Sequence, residues 1–423
     1  MPPEPVDTPY GFVSSRFQCA KLADLCVNES GVQTGPFGSQ LHQEDYVPQG
    51  IPILTVEHLG ENRIIHDDLP RVSDSDRARL ARYSLQTGDI VFSRVGSVDR
   101  RALVRDEENG WLFSGRCLRV RPDSKKIDSQ YLSSFFGFEG FREHVRRIAV
   151  GATMPSLNTK LLSDLPIYFP ELAEQQAIAA VLGSLDDKIE LNRRMNETLE
   201  ALAQSLFKSW FVDATQSALP KGWTERALYD CADYINGAAF RNEHFSADRQ
   251  GLPVIKIGEL KDGITAQTKF CEIEREPKYR INSGEILFSW SGSPDTSIDI
   301  FIWTEGEGWL NQHIFKIQFK RPVEKFFVYY LLRHLKPVFV EIARDKQTTG
   351  LGHVTGQDLK RLRTFFPTDD VLEKFNCIVE PLFQKVYSNL HESRTLAALR
   401  DALLPKLLSG ELPVPAKLGS LDL

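Results

Sequence analysis

A chain of 423 residues, 42% hydrophobic and 26% charged, has the composition of an ordinary soluble globular protein with room for about two to four domains. Its formal net charge of -6 excludes a protein that coats nucleic acid by bulk attraction, so any contact with DNA must come from local basic patches or be shared with a partner. No apolar run reaches membrane-spanning length and the start, MPPEPVDTPY, lacks the basic and apolar regions of a signal peptide, so a cytoplasmic protein without membrane contact is expected. Six cysteines (Cys19, Cys26, Cys117, Cys231, Cys271 and Cys377) form no CxxC pair and nine histidines complete no zinc pattern, which points to reduced thiols and no metal site.

Taken in order, a Pro-rich leader (1–16) precedes a globular unit (17–170) that opens in SSRFQCAKLADLC. A long helix follows (171–214), then Leu219, Pro220, Lys221 and Gly222 mark a boundary, and ALPKGWTERALYDCADY opens a second unit (215–368). A second long helix (369–412) and a short tail (413–423) complete the chain. The two units repeat one another. GPFGSQLHQEDYVPQGIPILTVEHL is answered by GAAFRNEHFSADRQGLPVIKIGEL, each a Gly-rich turn with a Phe, a polar loop and a short apolar strand after GxP. GDIVFSRVGS matches GEILFSWSGS: a turn, a buried strand and a loop of small residues. GWLFSGRCLRVRP matches GWLNQHIFKIQFKRP, two aromatic-rich helical stretches follow, and GATMPSLNTKLLSDLPIYFP matches TTGLGHVTGQDLKRLRTFFP. Phe135, Phe136, Phe138 and Phe141, like Phe326, Phe327, Tyr329 and Tyr330, read as core faces of helices rather than stacking platforms for bases.

In the first long helix Leu182, Leu185, Ile189, Leu199, Leu202, Leu206 and Trp210 recur at helical spacing, with charged residues on the other faces. Roughly 40 residues at 1.5 Å each span about 60 Å, more than one compact domain needs, so the stretch reads as a spacer or coiled-coil strand. Shifted by 197 positions, it lays Leu185 on Leu382, Ile189 on Val386, Asn192 on Asn389, Asn196 on Ser393, Leu199 on Leu396 and Leu206 on Leu403. The polar gap repeats in register, and two helices with the same gap can pair and satisfy one another's amides. Trp210 and Phe211 suit either a core or a subunit-docking anchor. The fold class is therefore α+β: two tandem mixed units separated by two long helices that pair as an antiparallel coiled coil, an internal pseudo-twofold repeat. Two reading heads at fixed separation suit a split DNA site. Three basic clusters are candidates for phosphate contact: Arg94, Arg100, Arg101 and Arg105; Arg142, Arg146 and Arg147; and Lys360, Arg361 and Arg363.

This order of segments, with GPFGSQL, GIPILTVEHL, GDIVFSRVGS, GATMPSLN, the LAEQQAIAAVLGSLDDKIELNRRMNETLEALAQSLFKSWF helix and the terminal LLPKLLSGEL, resembles the specificity subunit of a type I restriction-modification system from about Phe17 to about Leu412. The resemblance implies that each unit is a target recognition domain reading one half of an asymmetric bipartite sequence in double-stranded DNA. It implies that the helices set the unread spacer and dock two copies of the methyltransferase subunit, with restriction/translocase subunits joining through them. S-adenosylmethionine, ATP and Mg2+ would belong to those partners. Pro381 stands where the first helix has Ser184, Pro405 lies nearer the end, and the EQQ of Glu174 to Gln176 has no close counterpart at Glu373 to Phe375. A mid-helix proline predicts a kink, and the missing EQQ predicts unequal docking.

No catalytic residue is expected. There is no NPPY-type loop, no ExK fits downstream of Pro122-Asp123 or Pro294-Asp295, and no GxxxxGK[ST] exists. Base reading requires side chains that present paired donors or acceptors. The candidates in the first unit are Ser39, Gln40, Gln43, Arg94, Ser97, Arg100, Arg101, Thr153, Ser156, Asn158 and Lys160. In the second they are Arg241, Asn242, Trp290, Ser291, Gln347, Thr348, Thr349 and His353. Several of the small polar residues equally suit helix caps, Ser156 and Asn158 above all. Two other classes remain open on the residues alone: a stand-alone nuclease or methyltransferase, and a coiled-coil scaffold that does not bind DNA.

Overall fold

The structure, a computed structural model, describes residues 5–27, 31–36, 40–151, 154–216, 218–347 and 350–414. The chain divides into two compact units, Met1–Asp187 with Leu396–Leu423, and Lys188–Thr395, so that both long helices contribute to both.

In the first unit the strand Ile90–Ser93 is buried on both faces, which is why it reads as an unbroken apolar run. Gly88 and Gly96 bracket it with φ of +89° and +84°, values that favour glycine. It lies in a four-stranded antiparallel sheet, ordered Val32–Thr34, Cys117–Val120, Ile90–Ser93, Arg101–Leu103. A three-stranded sheet places Tyr46–Leu54 between Arg71–Val72 and Leu112–Phe113, the last pairing being parallel. Gln18–Lys21 pairs with Pro166–Phe169 at the entry to the first long helix.

The second unit repeats this plan with other side chains. Its four-stranded sheet runs Ala232–Asn236, Ile314–Phe319, Ile286–Ser289, Asp299–Ile302, and Leu252–Ile255 again has a parallel neighbour, Gly308–Leu310. Thr224–Ala227 pairs with Arg363–Phe366 before the second long helix. Gly35 and Gly237 mark one shared constraint: a Cβ would collide with the backbone carbonyl of Ser114 at the first and of Asn311 at the second. Both glycines donate their N–H across the sheet, to Cys117 and Ile314, and need that close approach.

The aromatic stretches are core. Phe135, Phe136 and Phe141 are buried in the first unit and Phe326, Phe327, Tyr329 and Tyr330 in the second, while Phe138 packs at the edge. Phe211 is buried against Phe327 and Phe375, and Trp210 packs on Phe375, so both serve the second unit's core.

The long helices span Leu172–Phe207 and Asp369–Ser409. Both Pro381 and Pro405 lie inside the second, which continues through them. Pro381 is exposed, and the carbonyl it cannot bond belongs to exposed Cys377 on the same side, where water is available. Within the first unit, Ile178 and Leu182 share a core with Leu407 and Leu408, and Arg400 pairs with Asp186 at 2.9 Å. Within the second, Phe207 meets Phe375 and Asn196 meets Asn389, so the helices run antiparallel. Leu185, Ile189, Leu199, Leu206, Leu382, Leu396 and Leu403 are half-buried and Val386 is buried. Leu202 departs from the expected stripe: it is exposed, and Ala203 turns inward in its place.

The polar gap becomes a buried layer. Asn192 donates to Glu392 at 2.9 Å and Ser393 at 3.3 Å, while Asn389 donates to Asn196 Oδ1 at 2.8 Å. The Asn192–Ser393 and Asn389–Asn196 contacts are counterparts in the repeat. The hydrogen bond from Asn192, aided by Lys188, holds the Glu392 carboxyl below its ordinary range. Asn192 and Asn389 are fully buried, yet their Oδ1 atoms have no partner among the described residues. Half-satisfied amides favour one register at a cost in stability. Asn192→Leu combined with Asn389→Leu is therefore expected to raise stability by about 1–2 kcal/mol, read as a higher urea midpoint, with looser helix register. A lowered midpoint would show the layer to be net stabilising.

Candidate nucleic-acid interface

The sequence scatters the proposed readers, and the fold gathers some of them into a paired-loop feature. In the first unit the chain leaves the central strand at Ser93, whose hydroxyl donates to the Ser97 carbonyl and accepts from Arg100 N at 3.2 Å. Buried Val98 and Asp99 pin the loop from beneath. The segment before the first long helix folds back on it: Gly96 N donates to Pro155 O at 2.9 Å, Leu157 N to Arg94 O at 2.8 Å, and Val95 bridges Ser156. Arg94, Ser97, Arg100 and Ser156 thus share one loop pair. Arg94 spends one guanidinium N–H on Gly115 O at 3.0 Å, and Arg100 donates to Leu59 O.

The second unit builds the same pair from different residues. Trp290 stacks on Phe315 with centroids 5.5 Å apart and donates its indole N–H to Asn236 at 3.0 Å. Ser291 pairs with His353 in a short two-stranded ribbon, and Val354 N donates to Trp290 O at 2.8 Å. Gln347 is exposed where this segment begins. Ser39, Thr153, Thr348 and Thr349 lie outside the described residues.

The remaining candidates sit elsewhere in the fold. Gln40 accepts from Tyr83 Oη at 2.6 Å through its side chain and from Arg79 through its backbone. Gln43 opens an exposed turn before Tyr46–Leu54, and Arg241 and Asn242 do the same before Leu252–Ile255. Asn158 caps a short helix through Leu161 N at 2.8 Å, whereas Ser156 bonds Val150 O rather than capping; Lys160 is exposed.

Arg101 is corrected outright: 5% exposed, it donates to Ser133 O at 2.9 Å and to Glu61 at 2.6 Å, leaving it in the framework. The basic helical face is likewise engaged within the unit. Arg142 and Arg146 both hold Asp99, at 3.0 and 2.7 Å, and Arg146 also pairs with Glu139. Burial pushes the Asp99 carboxyl up, but the two guanidiniums outweigh it and leave it below its ordinary range. Of the third cluster, Lys360 lies over Tyr229 and Arg363 faces Glu225. Asn236, which orients Trp290, ends the strand Ala232–Asn236, and nothing in the sequence marks the two as partners. Among the described residues His66, Glu107 and Glu108 bring metal-ligand atoms within 4.8 Å, though His66 bonds Glu108, whose other oxygen caps a turn through Arg105 N. No helix among the described residues is long and apolar enough to cross a membrane.

Two α+β units of one topology, each presenting the same loop pair with different side chains, make an internally duplicated protein. A family model described as type I restriction modification DNA specificity domain matches residues 18–201 and 220–371, and the chain belongs to that family. It is similar to the type I restriction enzyme MjaIX specificity subunit of Methanocaldococcus jannaschii, 30% identical over 306 residues that cover 68% of this chain and 70% of that one. It is also similar to the HindI specificity subunit of Haemophilus influenzae, 23% identical over 431 residues covering 83% and 92%. The S subunit structure from M. genitalium shares the fold, with a TM-score of 0.54 and 18% identity over 92% of this chain and 96% of that one.

Proposed function

We propose that the chain is the DNA sequence-recognition subunit of a type I restriction-modification complex, reading an asymmetric bipartite target with one half per unit. The carrying observation is the loop pair that recurs on one backbone plan with Arg94, Ser97, Arg100 and Ser156 in one unit and Trp290, Ser291 and His353 in the other. Equal scaffolds with unequal side chains read unequal half-sites. The long helices supply the spacer and dock two methyltransferase subunits, through which restriction/translocase subunits join. The chemistry, with S-adenosylmethionine, ATP and Mg2+, resides on those partners.

The test is selection from a random-sequence duplex library by the chain co-purified with its methyltransferase subunit, at moderate salt to suppress phosphate-only binding. A split, asymmetric motif is expected, and exchanging residues 17–170 for another head should change one half only. Binding by the assembled complex with no enriched sequence would sink this reading and favour a scaffold.

A further inference from the structure

In each unit the segment that folds back on the loop after the central strand leaves a large apolar side chain in the open: Met154 is 56% exposed and Leu351 59%. One exposed leucine or methionine is ordinary on a protein surface. Its recurrence at a single backbone position of two divergent units calls for a cause. The equivalence rests on contacts. Leu157 N bonds Arg94 O as Val354 N bonds Trp290 O, Ser156 bridges Val95 as His353 pairs with Ser291, and Asn158 and Thr355 then begin the next short helix as its N-caps. Counting back from the buried anchors Leu157 and Val354, Met154 and Leu351 fall on the same place. Neither joins a hydrophobic core of its unit, so internal packing does not account for them.

Resting on the reading of each unit as a half-site reader, we infer that Met154 and Leu351 determine specificity by making apolar contact with the bases, one in each half-site. Neither side chain has a charge or a hydrogen-bond donor for phosphate. Duplex DNA offers apolar surface at thymine methyls and at the faces of base steps, and leucine and methionine are among the side chains that press into such steps. Their contribution is therefore independent of salt, unlike that of a lysine or arginine on phosphate.

The experiment uses the chain assembled with its methyltransferase subunit and first recovers the wild-type motif. Met154→Ala is expected to weaken binding to that duplex about tenfold, as for one apolar side chain left unburied, with the slope of affinity against salt unchanged. Enrichment should fade in the half read by the first unit and persist in the other; Leu351→Ala should show the reverse, and Met154→Leu should keep both. Wild-type affinity and motif in both alanine variants would overturn the inference while leaving the half-site reading intact. So would loss of methyltransferase co-purification with an unchanged motif, which would make these residues protein contacts. A wild-type complex that enriches no motif would overturn both.

Discussion

Phe375→Ala should destabilise the second unit by about 3–5 kcal/mol, the range for emptying a well-packed aromatic site. Phe375 is fully buried near the start of the second long helix, where its ring meets Phe211 edge-on at 4.7 Å, Trp210 at 5.9 Å, and Phe207 and Tyr330 at 6.3 Å. These rings come from the end of one long helix and the turn Lys208–Val212 that follows it, the start of the other long helix and the helix Lys325–His334, so the cavity would be walled by elements that cannot all close on it. Trp210, Trp223, Trp290, Trp303 and Trp309 lie in this unit and only Trp111 in the other, so urea unfolding followed by tryptophan fluorescence reports the change directly. Ile378→Ala, on the same helix at 43% exposure, should cost under about 0.5 kcal/mol. Equal midpoints for the two variants would refute the assignment of this cluster as core.

The features that were legible are those enforced locally. Gly88 and Gly284 must turn with positive φ, and the buried strands after them must be apolar on both faces, so GDIVFS and GEILFS stayed alike and revealed the duplication. The Asn gap in the long helices was visible because a buried amide interrupts an otherwise regular seam. What escaped depended on distant partners. The acid that takes up Arg142 and Arg146 is Asp99, more than 40 positions earlier in a loop that reads as polar and solvated. Leu202 fell on the wrong side because a small drift in helical phase moved the seam to Ala203. Gln175, read as part of a docking motif, is 1% exposed: it accepts from Asp128 N at 2.9 Å and donates to Pro170 O at 2.9 Å, a local brace for the first unit.

Arg101 and Arg94 should separate the framework from the interface. Arg101 begins the strand Arg101–Leu103, all three residues of which are buried. Its guanidinium lies against Gly137, where any Cβ would occupy its space, and it satisfies the Ser133 carbonyl. Arg101→Ala removes that donor and opens a polar void; because the Glu61 side chain is 55% exposed, the lost ion pair adds little, and a cost of about 2–4 kcal/mol is expected. The surviving folded protein should keep its base preference, since none of Arg101's contacts lie on the loop pair. Arg94→Ala should do the opposite. That side chain is half-buried at the loop itself, so its removal should lower stability by about 1 kcal/mol and, on the proposed reading of the first unit as a half-site reader, relax that half-site, each lost base contact being worth about 1–3 kcal/mol of discrimination. Thermal unfolding and duplex selection on the same two variants give the comparison. An Arg101→Ala protein of wild-type stability with a changed half-site would return that residue to the interface, and the loop pair would then have to extend beneath the strand that now bounds it.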